Sequence, residues 1–245
     1  MLIAFIYFAV HKWKELTGNH AKLVKYEMPE NMSFIKLEHV RQYDHDPSME
    51  IMEEDVEIYY SIDQGFFGSV YLVKYLNQFA ALKCSKETSF TMKEEIDLML
   101  KIGNHENIIK LLGICYGLSS LQDVGGPPPY PILEYAEFGN LRAFLRFQRN
   151  IGQVNHKLEL VCITLKFIIE KAKEVAEGMH FLSTKNIVHG DLAARNILLT
   201  KDHTQAITAK ISDFGLSKAL YYGYYRKKNN GHLPFKWMSF EAMKG

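Results

Sequence analysis

The sequence predicts an α+β fold arranged in two lobes. Short β-type runs dominate residues 56–135, and the longest helical pattern falls in the second half, over 158–183. Strands first and helices later point to segregated α+β rather than alternating α/β architecture. A chain of 245 residues, 47% hydrophobic and 23% charged, has ordinary globular composition, which excludes disordered, collagen-like and coiled-coil classes. That length allows one large domain or two small ones with a real core.

In chain order, 56–62, 70–75 and 79–83 are short β-type runs separated by turn residues. Residues 88–101 have helical periodicity, with Ile96, Met99 and Leu100 on one side. Residues 109–116 and 130–135 read as strands, and the loop between them holds Gly125-Gly126-Pro127-Pro128-Pro129. Leu141, Phe144 and Leu145 begin a second helix. The pattern over 158–183 repeats Leu160, Ile163, Phe167, Ile168, Ala172, Val175, Ala176 and Met179 at helical spacing. Three short strands follow, around Ile187, 197–199 and 209–211.

The first ten residues, MLIAFIYFAV, carry no charge, and Lys12, Trp13 and Lys14 follow at once. Ten helical residues cover about 15 Å, half of a bilayer core about 30 Å thick. No basic residue precedes the run and no small-residue cleavage site follows it, so it is a poor signal peptide. Two readings stand: the cytoplasmic half of a transmembrane helix, or a buried or interfacial segment. The lysines and Trp13 fit a cytoplasmic flank. Residues 1–11 are assigned as a partial transmembrane-like segment. Residues 12–55 form a juxtamembrane linker with Pro29, Pro47 and an acidic cluster at Glu50, Glu53, Glu54 and Asp55. With 29 Lys and Arg against 28 Asp and Glu, the charge balance favours no nucleic-acid partner. Cys84, Cys115 and Cys162 have no metal-ligand spacing and read as reduced intracellular thiols.

The chemistry concentrates in His189-Gly190-Asp191-Leu192-Ala193-Ala194-Arg195-Asn196 and, seventeen residues after Asn196, in Asp213-Phe214-Gly215. Any one of these polar residues alone reads as a turn or strand-end cap. Together and in order they resemble the protein kinase family, in its tyrosine kinase branch. The resemblance covers roughly 56–243 and implies a two-lobed kinase-like fold. A β-rich N-lobe spans 56–136, and a mainly helical, incomplete C-lobe spans 137–245. The implied cofactors are ATP and Mg²⁺. Phosphoryl transfer demands that phosphate charge be neutralised and a hydroxyl be oriented. By resemblance Asp213 chelates one Mg²⁺, Asn196 holds a second, and Asp191 accepts the hydroxyl proton.

Asp63-Gln64-Gly65-Phe66-Phe67-Gly68-Ser69-Val70 looks like the phosphate loop, with Gly65 and Gly68 letting backbone N–H groups approach phosphate. Asp63 stands where the family has its first glycine, an added carboxylate beside phosphates. Lys83 resembles the phosphate-binding lysine, and its partner on the next helix is Glu95, or Glu94 if the register is one off. Glu95 is preferred because Met99 then shares its face. The adenine pocket implied by resemblance has walls of Ile62, Val70, Ala81, Leu133 and Leu198, with backbone groups of Glu134 and Ala136.

Ala193 and Arg195 follow the tyrosine-kinase pattern, with Arg195 on the substrate side. Tyr221, Tyr224 and Tyr225, ahead of Arg226-Lys227-Lys228, resemble the self-phosphorylated loop of receptor tyrosine kinases. The implied partners are proteins with substrate tyrosines, a second copy for trans-phosphorylation, and a membrane. The expected location is a single-pass membrane protein with its kinase on the cytoplasmic side, or the cytoplasm if residues 1–10 are not a membrane segment. Departures from the pattern are Asp63, Gly190, Phe240 and an end at Gly245 ahead of the family's remaining helices. They keep a second reading open: a catalytically weak pseudokinase that binds or scaffolds. In the family an arginine at position 190 pairs with a phosphorylated loop residue, so Gly190→Arg is expected to strengthen the response to phosphorylation.

Overall fold

Val56–Gln64 (β2), Gly68–Tyr75 (β3) and Gln78–Ser85 (β4) form an antiparallel meander. The β3–β4 turn is a two-residue loop in which Leu76 and Asn77 both take positive φ, 47° and 61°. That twist matches the right-handed twist of the strands it joins. The computed structural model describes residues 47–64, 68–85, 89–118, 128–154, 164–202 and 204–219. Within these, Glu50–Ile51 (β1), Leu111–Cys115 (β5) and Tyr130–Glu134 (β6) complete a six-stranded sheet of order β1-β5-β6-β4-β3-β2.

Side chains alternate between the faces of a strand. One face buries Val73, Ala80, Leu82, Cys84, Cys115, Tyr130, Ile132 and Ile51 in a common cluster. Val70, Leu72, Ala81 and Lys83 therefore belong to the other face. Residues 50–55, left in the linker by the sequence reading, join this lobe, because β1 pairs in parallel with β5 and buries Ile51. A two-residue strand has no period to read.

Ser89–Ile102 (α1) buries Met92, Glu95, Ile96, Leu98, Met99 and Ile102, a broad helical face. Leu100, expected on that face, is exposed. The second lobe begins with Leu141–Val154 (α2), whose first turn is capped by Asn140 Oδ1 accepting the Ala143 N–H at 2.9 Å. Leu165–Thr184 (α3) is capped in the same way, with Thr164 Oγ1 accepting the Phe167 N–H at 3.1 Å. The buried stripe of α3 is Lys171, Val175, Gly178 and Leu182. Of these only Val175 belongs to the apolar set read from the sequence. Residues 155–163 lie outside the described residues.

Two small sheets then frame the loops that carry the polar motifs. Ile197–Lys201 (β8) and Ile207–Ile211 (β9) form an antiparallel hairpin with Ile197 opposite Ile211. Ile187–Val188 (β7) pairs antiparallel with Lys218–Ala219 (β10). The segments 189–196 and 212–217 are thereby held side by side. Among the described residues no helix is long and apolar enough to cross a membrane. Residues 1–10, with their membrane-like run, lie outside the described residues, as does Cys162.

Candidate active site

The β8–β9 hairpin explains how residues distant in sequence meet. Asn196 is the residue before β8, and Asp213 comes two residues after β9. Asn196 O accepts both the Ser212 N–H at 2.8 Å and the Ser212 Oγ–H at 3.0 Å, which locks the two loop ends together. Asn196 Nδ2 donates to Asp191 O and Asp191 Oδ2, both at 2.8 Å. Arg195 Nη2 donates to Asp191 Oδ1 at 2.5 Å. Asp191 and Asn196 are buried.

His189 holds this loop from behind. Its Nδ1 accepts the Asp191 N–H at 3.2 Å, and its Nε2 lies 3.0 Å from Ser212 O. A neutral ring protonated on Nε2 satisfies both contacts. Burial disfavours the imidazolium and outweighs the nearby carboxylates, so His189 sits below the ordinary histidine value. Its ring packs against Phe214, which is fully buried, at 5.3 Å between centroids. Ser217 Oγ donates to His189 O at 2.8 Å.

Lys83 reaches this cluster from the first lobe. Its Nζ lies 2.7 and 2.9 Å from the two Glu95 oxygens and 3.0 Å from Asp213 Oδ1. Glu95 is 8% exposed and Asp213 47%. Burial opposes the charge on Lys83, but Glu95 and then Asp213 outweigh it and hold its pKa above the usual lysine value. Burial likewise pushes Asp213 up, and the Lys83 charge overcomes this and keeps it below the usual carboxylate value. Glu94, the alternative partner, points instead toward Lys218, 4.0 Å away. Asp213 takes φ 64°, a left-handed conformation that short polar side chains tolerate.

The expected pocket walls partly assemble. Val70 lies opposite Lys83, and Ala81 lies between Leu72 and Leu133 in the sheet register. These residues share the face opposite the buried cluster. Leu198 bridges to Asn140 just beyond the connection between lobes. Ile62 is exposed on β2, Gly68 opens β3, and Gly65 lies outside the described residues. Glu134 and Ala136 lie at the connection, where the Glu134 N–H donates to Lys110 O at 3.0 Å and Ala136 O accepts from the Gly139 N–H. Glu134 Oε1 also accepts from Lys110 N–H at 2.7 Å and Lys210 Nζ at 2.9 Å. That tie between the connection and β9 was not foreseen, since no local pattern brings Lys210 to Glu134.

Among the described residues no group of three His, Cys, Asp or Glu side chains could cage a metal ion. The donor set nevertheless suits Mg²⁺, which takes one or two protein oxygens and keeps water and phosphate oxygens as its other ligands. Because the Asn196 amide nitrogen is engaged with Asp191, its carbonyl oxygen is the end suited to a cation. Asp213 is half-exposed, and the bond to Lys83 involves only one of its carboxylate oxygens.

The profile of the family described as protein tyrosine and serine/threonine kinase matches residues 56–245. The chain belongs to that kinase family. It is 34% identical over 233 residues to the myoblast growth factor receptor egl-15 of Caenorhabditis elegans, covering 82% of this chain and 21% of that receptor. It is 35% identical over 221 residues to a fibroblast growth factor receptor of Ciona intestinalis, covering 81% and 28%. To fibroblast growth factor receptor 1 of Pleurodeles waltl the identity is 41% over 156 residues, covering 61% and 17%. The chain thus spans less than a third of the length of the receptors it matches. Its two lobes are those of a kinase, a sheet-rich N-lobe and a helix-containing C-lobe.

Gly190 carries a backbone constraint that the sequence does not show. Its φ is +79°, and a Cβ there falls 2.6 Å from the Leu216 carbonyl oxygen. Gly190→Arg therefore meets backbone strain and a close contact with the Leu216 carbonyl. Tyr221, Tyr224, Tyr225 and Phe240 lie outside the described residues.

Proposed function

We propose that this chain is the catalytic portion of a receptor-type protein tyrosine kinase, transferring the γ-phosphoryl group of ATP to a tyrosine hydroxyl of a protein. The observation that carries this reading is the convergence of Lys83, Glu95 and Asp213 from one side with Asp191, Arg195 and Asn196 from the other. Lys83, fixed by Glu95, neutralises phosphate oxygens. Asp213 and Asn196 would hold Mg²⁺, which would neutralise phosphate charge there. The adenine base lies between Val70, Ala81 and Leu198, against the backbone of Glu134 and Ala136.

Asp191 receives the proton of the tyrosine hydroxyl as its oxygen bonds to the γ-phosphorus and the bridging oxygen leaves with ADP. Arg195 orients Asp191 and faces the substrate. The names of the relatives and the apolar run at 1–10 support a membrane-anchored receptor with its kinase on the cytoplasmic side. Self-association then lets one copy phosphorylate Tyr221, Tyr224 or Tyr225 of another.

Lys83→Met and Asp213→Ala are expected to weaken the thermal stabilisation given by Mg-ATP. Asp191→Asn is expected to abolish turnover while leaving that stabilisation nearly intact. Loss of nucleotide binding in Asp191→Asn as severe as in Lys83→Met overturns these roles. Asp63 and Gly190 favour the second reading, a weak pseudokinase, and Mg-ATP binding without any tyrosine phosphorylation identifies it.

A further inference from the structure

Strand β9 delivers Asp213, and the peptide groups of Ile207, Ala209 and Ile211 bond away from β8. Near the site this edge is covered by the segment before β5. Asn107 Nδ2 donates to Ala209 O at 3.2 Å, and Asn107 O accepts the Ile211 N–H at 2.8 Å. The Ile109 N–H donates to Ile211 O at 2.9 Å. Farther from the site the cover is a pair of side chains on α3. Lys171 Nζ donates to Ile207 O, and Glu174 Oε2 accepts the Ala209 N–H at 2.6 Å. The two side chains are joined through Lys171 Nζ and Glu174 Oε1 at 2.5 Å.

Surface ion pairs three residues apart on a helix contribute little. This one differs because Lys171 is only 5% exposed. Its Nζ also lies 5.5 Å from the Phe167 ring centre. A buried ammonium is tolerated only where acceptors and an opposite charge meet it. Glu174 and the Ile207 carbonyl supply both. The pair presents one donor and one acceptor to β9, as a neighbouring strand does.

We propose that Lys171 and Glu174 are positioning residues for the catalytic metal. Only Ser212 separates the end of β9 from Asp213. A strand clamped at Ile207 and Ala209 as well as at Ile211 can neither slide nor twist, so the spacing of Asp213 from Asn196 is fixed. This rests on the reading of Asp213 and Asn196 as metal ligands. Loosening the clamp then costs metal-dependent affinity before it costs anything else at the nucleotide site.

The test titrates ADP into the unaltered chain, Lys171→Met and Lys171→Arg by calorimetry, in excess Mg²⁺ and again in EDTA. The ratio of the two affinities measures the metal's contribution. In Lys171→Met that ratio should fall about fivefold, short of the ~10–100-fold typical for removing a direct partner of a metal ligand. Affinity in EDTA should stay within about twofold, and Lys171→Arg should restore the ratio. Glu174→Gln keeps an acceptor for Ala209, so it is the milder variant and should shift the ratio the same way. An unchanged ratio beside a lowered melting temperature overturns the proposal and leaves only a stability staple. Hydrogen exchange on the same proteins without nucleotide separates this from a failure of the metal reading. If the unaltered chain shows no Mg²⁺ effect, the metal reading is at fault and exchange alone decides on the clamp. Faster exchange across 209–215 in Lys171→Met supports the clamp, and unaltered exchange there refutes it.

Discussion

Replacing Gly190 by alanine tests the geometry of the catalytic loop with one methyl group. The residue takes φ +79°, where a Cβ meets its own backbone at a cost of roughly 1–2 kcal/mol. The added carbon also falls 2.6 Å from Leu216 O, a backbone atom that cannot swing aside. Displacing that segment brings the expected total to about 2–3 kcal/mol. For a domain of this size each kcal/mol lowers the melting temperature by about 2–4 °C, so the loss should be about 5–10 °C. Gly139→Ala is the control, since Gly139 takes φ +65° and a Cβ there has nothing within 4 Å. It isolates the backbone strain, and the excess in Gly190→Ala measures the Leu216 contact. Calorimetric melts of the three proteins provide the comparison. Equal losses in both variants remove the contact from the argument, and no loss in either refutes the left-handed assignment. Gly190→Arg should lose at least as much stability as Gly190→Ala.

Two further outcomes are expected. His189 is held neutral by burial, so the unfolded chain binds its proton more readily than the folded one. Its contribution to stability is complete above the unfolded value of about 6.5 and drains away as pH falls below it. Urea titrations at pH 7.5 and 5.5 should show a steeper loss in the unaltered chain than in His189→Gln, and parallel losses refute this. Asp63→Gly removes an exposed carboxylate from the strand leading into the expected phosphate loop. ATP affinity should rise about threefold at low salt and less at high salt, because water screens such a charge. Unchanged affinity by calorimetry means that Asp63 lies too far from the phosphates to act.

Apart from Glu50–Ile51, the strands of the first lobe were legible as short β-type runs broken by turn residues, and the helix Ser89–Ile102 by its apolar period. So was the gathering of Asp191, Asn196 and Asp213, because the motif order pointed to one site by resemblance. Other features have no local signature. Lys171 and Glu174 drew no reading from the sequence, since only the placement of β9 turns them inward. Glu95 was preferred over Glu94 because it shares a helical face with Met99, and Lys83 does pair with Glu95. Leu100 was misplaced because the buried face of the helix extends from Met99 toward Leu98 and Ile102, which leaves Leu100 at its exposed edge. Gly190 looked like a mere deletion of an arginine, and neither its positive φ nor the approach of Leu216 O, 26 residues farther on, shows in the local sequence.

The bonds behind the catalytic loop run in a closed circuit. His189 meets Asp191, Asp191 meets Asn196, Asn196 meets Ser212, and Ser212 returns to His189. Every member is reached from two directions, so a single severed link opens the circuit without detaching anything. A second severed link detaches a piece. Damage here should therefore be buffered at first and abrupt afterwards, with pairs of changes costing more than their sum. Surveys that alter one residue at a time will understate how much this circuit matters, and only paired substitutions expose its redundancy.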